Sequence, residues 1–276
     1  MKNTIEEILL NNYKQYANIR HSIPYVYSLS SHGHNILYCG TAHYSSYTDT
    51  GTQHIIKLFR LYNPNLMVVE GIPWLKEGTL INEFMQYSEK DLIHKFGENI
   101  LFAVLASKEG KMVISPEPLL KYEMSFICNY GYSIWEFLVF YMFKLGIQWM
   151  QQKNKESREK YIKKCDIYLR HELDEFYMDY QIAFQEKMCI LLEHANVNQL
   201  KIMIDPVFRK RQNRYFDGKY NQISRLSNIC RDLEIIEAIK KNSQKFFRTM
   251  IVYGATHAYV QREVLEAYFY GNFDLG

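Results

Sequence analysis

The stretch Asn35–Gly71, NILYCGTAHYSSYTDTGTQHIIKLFRLYNPNLMVVEG, decides the fold. It opens with the strand-like run Asn35 to Cys39, turns at Gly40, carries a helical pattern from about Thr52 to Tyr62, and passes Pro64 into a second apolar run, Leu66 to Glu70. Short apolar runs bounded by Gly and Pro read as buried strands. Strand, turn, helix, strand is the crossover unit of a mainly parallel sheet, because parallel neighbours need a long connection. On the N-terminal side, Pro24 to Leu29 is also strand-like, and Ser30-Ser31-His32-Gly33-His34 joins it to the first run. This pair reads as a β-hairpin. Ahead of it, residues 5–20 have helical spacing.

On the C-terminal side, the pattern predicts helices over 79–94 and 98–109 and a third core strand, Lys111 to Ser115, closed by Pro116 and Pro118. Beyond Leu119 the chain is almost wholly helical in pattern, and Glu156 to His194 contains neither Gly nor Pro. A loop at Phe216-Asp217-Gly218, a long helix from Asn221 to Asn242, a buried strand from Thr249 to Tyr253 and a helix from Ala258 to Phe269 complete it. The expected class is α/β: a mainly parallel central sheet with an N-terminal β-hairpin, flanking helices and a large helical insertion. The two halves of the core span 1–118 and 216–276, and the insertion spans 119–215. With 13 Gly and 6 Pro in 276 residues, little chain is left for long loops.

Composition excludes several classes. A net charge of +3 is too small to point to nucleic acid or a membrane surface, so neither is an expected partner. The run Arg209-Lys210-Arg211 with Arg214 reads as a solvated turn. Five cysteines without Cys-x-x-Cys spacing argue for a reducing, cytoplasmic setting over a disulfide framework. The charged N-terminus lacks a signal-peptide core. Tyr132 to Met150 is interrupted by Glu136, Lys144 and Gln148, so it reads as a buried helix and not a membrane span. There is no phosphate-binding glycine loop and no Gly-x-Ser-x-Gly elbow. His171-Glu172-Leu173-Asp174-Glu175 lacks the second histidine of a zincin helix.

Chemistry gathers elsewhere. Gly40-Thr41-Ala42-His43 follows the strand ending at Cys39, and Gly254-Ala255-Thr256-His257 follows the strand ending at Tyr253. Each histidine is expected at the mouth of the next helix, on the carboxyl edge of the sheet where open α/β folds bind ligands. Glu70 ends its strand on that edge, and Glu117 follows the third strand. Two imidazoles with one or two carboxylates form a mixed ligand set for a divalent ion such as Zn, Mn, Co or Fe. His43, Glu70, His257 and Glu117 are thus the candidate metal ligands. Ser45 and Ser46 read as helix caps, not nucleophiles.

These motifs resemble the TraB/Tiki superfamily, which groups TraB and GumN proteins, Tiki metalloproteases, erythromycin-esterase-like proteins and ChaN-like haem-binding lipoproteins. Leu37 to Ser45 with Pro64 to Gly71 resembles its opening, Tyr253 to His257 its second Gly-x-x-His, and Arg231-Asp232-Leu233-Glu234-Ile235-Ile236-Glu237-Ala238-Ile239 its Arg-Asp helix. The resemblance implies a site lined by His43, Glu70, Arg231 and His257. It implies metal-dependent hydrolysis for the Tiki branch, and a histidine general base for the erythromycin-esterase-like branch. The leading expectation is a metal-dependent hydrolase of a peptide or small molecule. There His43 and His257 bind the metal, Glu70 is ligand or base, and Arg231 stabilises an oxyanion. A metal-free esterase-like enzyme and a non-catalytic peptide- or ligand-binding regulator are the alternatives.

Overall fold

The computed structural model describes residues 4–72, 81–152, 155–207, 210–211, 214–215 and 217–271. Helix α1 (Ile5–Tyr16) starts at a capping box in which Thr4 and Glu7 satisfy each other's backbone N–H. Strands β1 (Tyr25–Ser31) and β2 (His34–Thr41) form the expected antiparallel hairpin. Its two-residue turn, His32–Gly33, has φ of 49° and 84°. Positive φ at both positions is the geometry that matches strand twist in a tight hairpin. Helix α2 (Thr50–Tyr62) is capped by Asp49, whose side chain accepts the Gly51 N–H. That corrects the expectation for Ser45 and Ser46, which lie in the loop before it. The helix stops where Asn63 turns left-handed.

Strand β3 (Leu66–Val69) follows, then α3 (Ile81–Phe84), α4 (Glu89–Phe96), α5 (Glu98–Lys108) and β4 (Met112–Ile114). The single helix expected over 79–94 is two helices, because Ser88 turns extended and caps α4 through the Asp91 N–H. Residues 79 and 80 lie outside the described residues.

The chain divides into two compact units, Met1–Glu117 with Arg231–Gly276, and Pro118–Cys230. The second unit contains α6 (Leu120–Asn129), α7 (Ile134–Gln151), α8 (Arg158–Leu173), α9 (Glu175–Met178), α10 (Gln181–His194) and α11 (Val197–Met203). A short ladder joins β5 (Lys210–Arg211) to β6 (Arg214–Tyr215). Its core is built from Leu138, Phe140, Leu169, Tyr177 and Phe184. Arg209 of the basic run and Phe216 of the expected loop lie outside the described residues. Asp174, at φ 51°, separates α8 from α9 inside the stretch that has neither Gly nor Pro. Among the described residues no helix is long and apolar enough to cross a membrane. Helix α12 (Lys219–Ser243) has no Gly or Pro either, and it runs unbroken through the boundary at Cys230.

Strand β7 (Arg248–Gly254) and α13 (Ala255–Phe269) complete the first unit. The sheet order is β1-β2-β7-β3-β4, with β2, β7, β3 and β4 parallel. The last strand is therefore the central one. Alternate residues Leu37, Cys39, Met67, Val69, Met250 and Val252 face α2 and α5, where Ile55, Ile56, Phe59 and Phe102 join the core. On the other face Tyr38 donates to Gln261 of α13, which also packs on α1.

Gly40 marks the tightest approach between sheet and helix. A Cβ there would lie 2.7 Å from Ala258 Cβ and 2.8 Å from Ala255 Cα. Both neighbours are held by helix backbone, so Gly40→Ala is expected to cost about 1–3 kcal/mol. Urea denaturation checks it: the midpoint falls and the slope is unchanged.

Candidate active site

The carboxyl ends of β2, β7 and β3 bring His43, Glu70, Glu117, Arg231 and His257 together with Asp232 and Glu98. All belong to the first unit. The centre is Glu70, one residue past β3 and 8% exposed. Its Oε2 accepts the Gly254 N–H at 2.8 Å, and its Oε1 accepts from Arg231 Nη2 at 3.2 Å. His257 Nε2 lies 3.9 Å from Oε1. Burial opposes the charge on Glu70. The fields of His257, Arg231 and His43 and the Gly254 amide outweigh it and bring the carboxyl down to about 2.

Arg231 is a clamp. Its Nε donates to Glu117 Oε2 at 2.8 Å, and its Nη2 donates to Glu117 Oε1 at 3.1 Å as well as to Glu70. Glu117 also accepts the Gly71 N–H at 2.7 Å. Burial disfavours the charged Glu117, but the adjoining guanidinium holds its carboxyl below the usual range. The arginine's charge is thus committed to two buried carboxylates.

His257 is the third residue of α13, directly after β7. This is the helix-mouth position expected from the sequence. Its Nδ1 meets Asp232 Oδ1 at 2.6 Å, which leaves Nε2 facing Glu70. Asp232 is fully buried and gathers two further donors, Tyr13 Oη at 2.8 Å and Gln261 Nε2 at 2.6 Å. Gln261 stands one helical turn after His257, so α13 presents both to the same carboxylate. Burial works against the imidazolium, yet Asp232 and then Glu70 raise the His257 pKa.

His43 departs from expectation in its setting. It sits in the loop between β2 and α2, not at a helix mouth, because α2 begins only at Thr50. Its backbone is left-handed, φ 55°, a conformation that costs a non-glycine residue about 1–2 kcal/mol. Neighbouring contacts hold it there. Glu98, the first residue of α5, takes the Thr41 hydroxyl, the Tyr44 N–H at 2.9 Å, and His43 Nδ1 at 3.4 Å. The Glu98 contact raises the His43 pKa against a smaller effect of burial. The side chain is 60% exposed. Its Nε2 points inward: a Cβ on Gly254 would lie 2.9 Å from it and 3.6 Å from Glu70 Oε2. Gly254 is needed for this approach.

The two imidazoles thus share one plan. Each is held through Nδ1 by a buried carboxylate, and each turns Nε2 toward Glu70. Sequence reading did not single out Asp232 or Glu98. Asp232 adjoins Arg231 in the quoted helix motif, which was its one signal; Glu98 had none. Among the described residues, no group of three His, Cys, Asp or Glu is placed to hold a metal ion.

Asp232→Asn tests the buried pair. His257's folded pKa lies above its ordinary 6.5, so its protonated form adds stability below that pH. The contribution is lost as pH rises through the folded value. The variant is expected to lose about 1–3 kcal/mol, to lower the His257 pKa, and to flatten this pH dependence. Imidazole NMR titration and denaturation across pH 5.5 to 8.5 read both effects.

No family model, curated protein or solved structure matches the chain. The chemistry of the site therefore has to be argued from its own geometry.

Proposed function

We propose that the chain is a hydrolase of ester or amide bonds in which His43 is the general base. One observation carries the reading: two carboxylate-backed imidazoles converge on Glu70, and one of them, His43, is open to solvent. In this mechanism a water lies between His43 Nε2 and Glu70 Oε2. Glu70 orients it, and His43 takes its proton as it attacks the acyl carbon. His43 then returns the proton to the leaving group. Glu98 fixes the ring and favours the imidazolium that forms. His257, buried behind Glu70, donates toward that carboxylate and is held in place by Asp232. Arg231 keeps Glu70 and Glu117 ionised, and a direct oxyanion contact is not part of its role here. The order His43, Glu70, Arg231, His257 and its resemblance to the erythromycin-esterase-like branch of the TraB/Tiki superfamily support the reading. So do five free cysteines, which suit a cytoplasmic enzyme acting on a peptide or small molecule.

A metal-dependent hydrolase is the second reading. It is favoured by the carboxylates behind both histidines, since metal-ligating imidazoles commonly have such partners. His43, His257 and Glu70 would hold a Zn, Mn, Co or Fe ion, which when bound supplies a hydroxide near neutral pH. Glu117 fits less well, because Arg231 and the Gly71 amide take its oxygens. Arg231 also brings positive charge to the place a cation would occupy.

With p-nitrophenyl acetate as probe, His43→Ala is expected to lower kcat by about 10²–10⁴ with little change in KM. Its denaturation midpoint stays close to wild type. Full activity in this variant contradicts the reading. Turnover requires neutral His43, so kcat rises as pH climbs through its raised pKa, and Glu98→Gln moves that limb to lower pH. Metal analysis of the purified protein, with activity measured before and after chelation, separates the two readings. Stoichiometric metal, lost together with activity in both His43→Ala and His257→Ala, favours the second.

A further inference from the structure

In open α/β folds the free backbone amides at the carboxyl ends of strands and at helix N-termini cradle anions such as phosphate. Here the chain's own side chains take those amides. The Gly254 N–H, at the entry to α13, goes to Glu70, and the Gly71 N–H goes to Glu117. The Ile72 N–H goes to Ser115 Oγ at 3.0 Å, and the Tyr44 N–H goes to Glu98. The internal carboxylates stand where a bound anion would.

The charge balance points the same way. Glu70, Glu98, Glu117 and Asp232 are each more than nine-tenths buried. Facing them are one guanidinium, bonded to two of them, and two imidazoles. The formal charge stays negative even with both imidazoles protonated. An independent feature is the hydroxyl of Tyr253. It is fully buried, has no hydrogen-bond partner among the described residues, and lies in the field of Glu117, Glu70 and Arg231. This unspent polar atom is neutral and offers an anion no charge.

We infer that the site takes an acyl substrate carrying a positive charge, an ester or amide with an ammonium group beside the bond to be cleaved, and rejects phosphates and carboxylates. The inference rests on the hydrolytic reading of the same site and adds a substrate class to it. Repulsion of anions by desolvated like charge, and attraction of cations, discriminate among ligands of similar shape.

The test has two arms on the full-length protein. In the first, imidazole NMR signals of His43 and His257 are followed while tetramethylammonium, inorganic phosphate or acetate is added at constant ionic strength. Tetramethylammonium is expected to shift His43, with phosphate and acetate weaker. In the second, thioacetate esters carrying a trimethylammonium, a tert-butyl or a carboxylate group at the same position are compared. The expected kcat/KM order is cationic, neutral, anionic, each step about tenfold, which corresponds to one charge interaction of roughly 1.4 kcal/mol. Ammonium binding at His43 without turnover of any ester refutes the hydrolase and leaves the charge preference standing. A phosphate or acetate shift as large as that of ammonium, or no ammonium shift, overturns the inference. So does an anionic ester cleaved as well as the neutral one.

Discussion

A buried carboxylate must be paid for with donors, and the partners of Glu70 organise this site. The Gly254 amide ties it to the central strand, Arg231 ties it to α12, and His257 faces it from α13. Each partner comes from a different segment of the chain. The ion pair is weak evidence of stability, because desolvating two charges offsets much of their attraction. Its value is positional. Removing one partner strands the other in the interior, so the ends of β3 and β7 and the C-terminal half of α12 are held in one arrangement.

The same arrangement turns structural bonds into chemistry. Arg231 and Asp232 are adjacent on α12, and side chains of neighbouring helical residues diverge. One reaches the carboxylates and the other reaches His257. The result is a rigid inner layer of Asp232, His257, Glu70, Arg231 and Glu117, and an outer histidine that is exposed and held in a strained backbone conformation. Rigid donors behind a mobile-facing base are what pre-organised proton transfer asks for. The small residues at Gly40 and Gly254 let helix and imidazole come close enough for this layering.

Much of the frame was legible in the sequence. Runs such as Leu66–Val69 and Thr249–Tyr253 are apolar throughout because both faces of a central strand are covered, and Gly or Pro marks their ends. The order of strands was not legible. That the last strand lies between β2 and β3 depends on long-range packing, which local pattern does not encode. Ser88 broke a helix that periodicity alone would continue, and Asp174 did the same between α8 and α9. At the site, the two Gly-x-x-His turns drew attention to His43 and His257, and strand-end position drew attention to Glu70 and Glu117. Arg231 stood out only through a motif likeness. Asp232 and Glu98 have the appearance of ordinary helix acids, since a buried acid and a solvated one look alike until their distant partners are known. The loop setting of His43 was missed because nothing in Ala42–Thr48 forbids an earlier helix start; Asp49 caps the helix instead.

Titration of the Glu70 carboxyl tests the central claim most directly. With carboxyl-labelled glutamate and Glu70→Gln to assign the signal, carbon NMR is expected to find Glu70 still ionised at pH 3.5 in the folded protein. A Glu70 that is half protonated at pH 4.5 or above would show that Arg231, His257 and the Gly254 amide do not hold it as an anion, and the site described here would lose its centre.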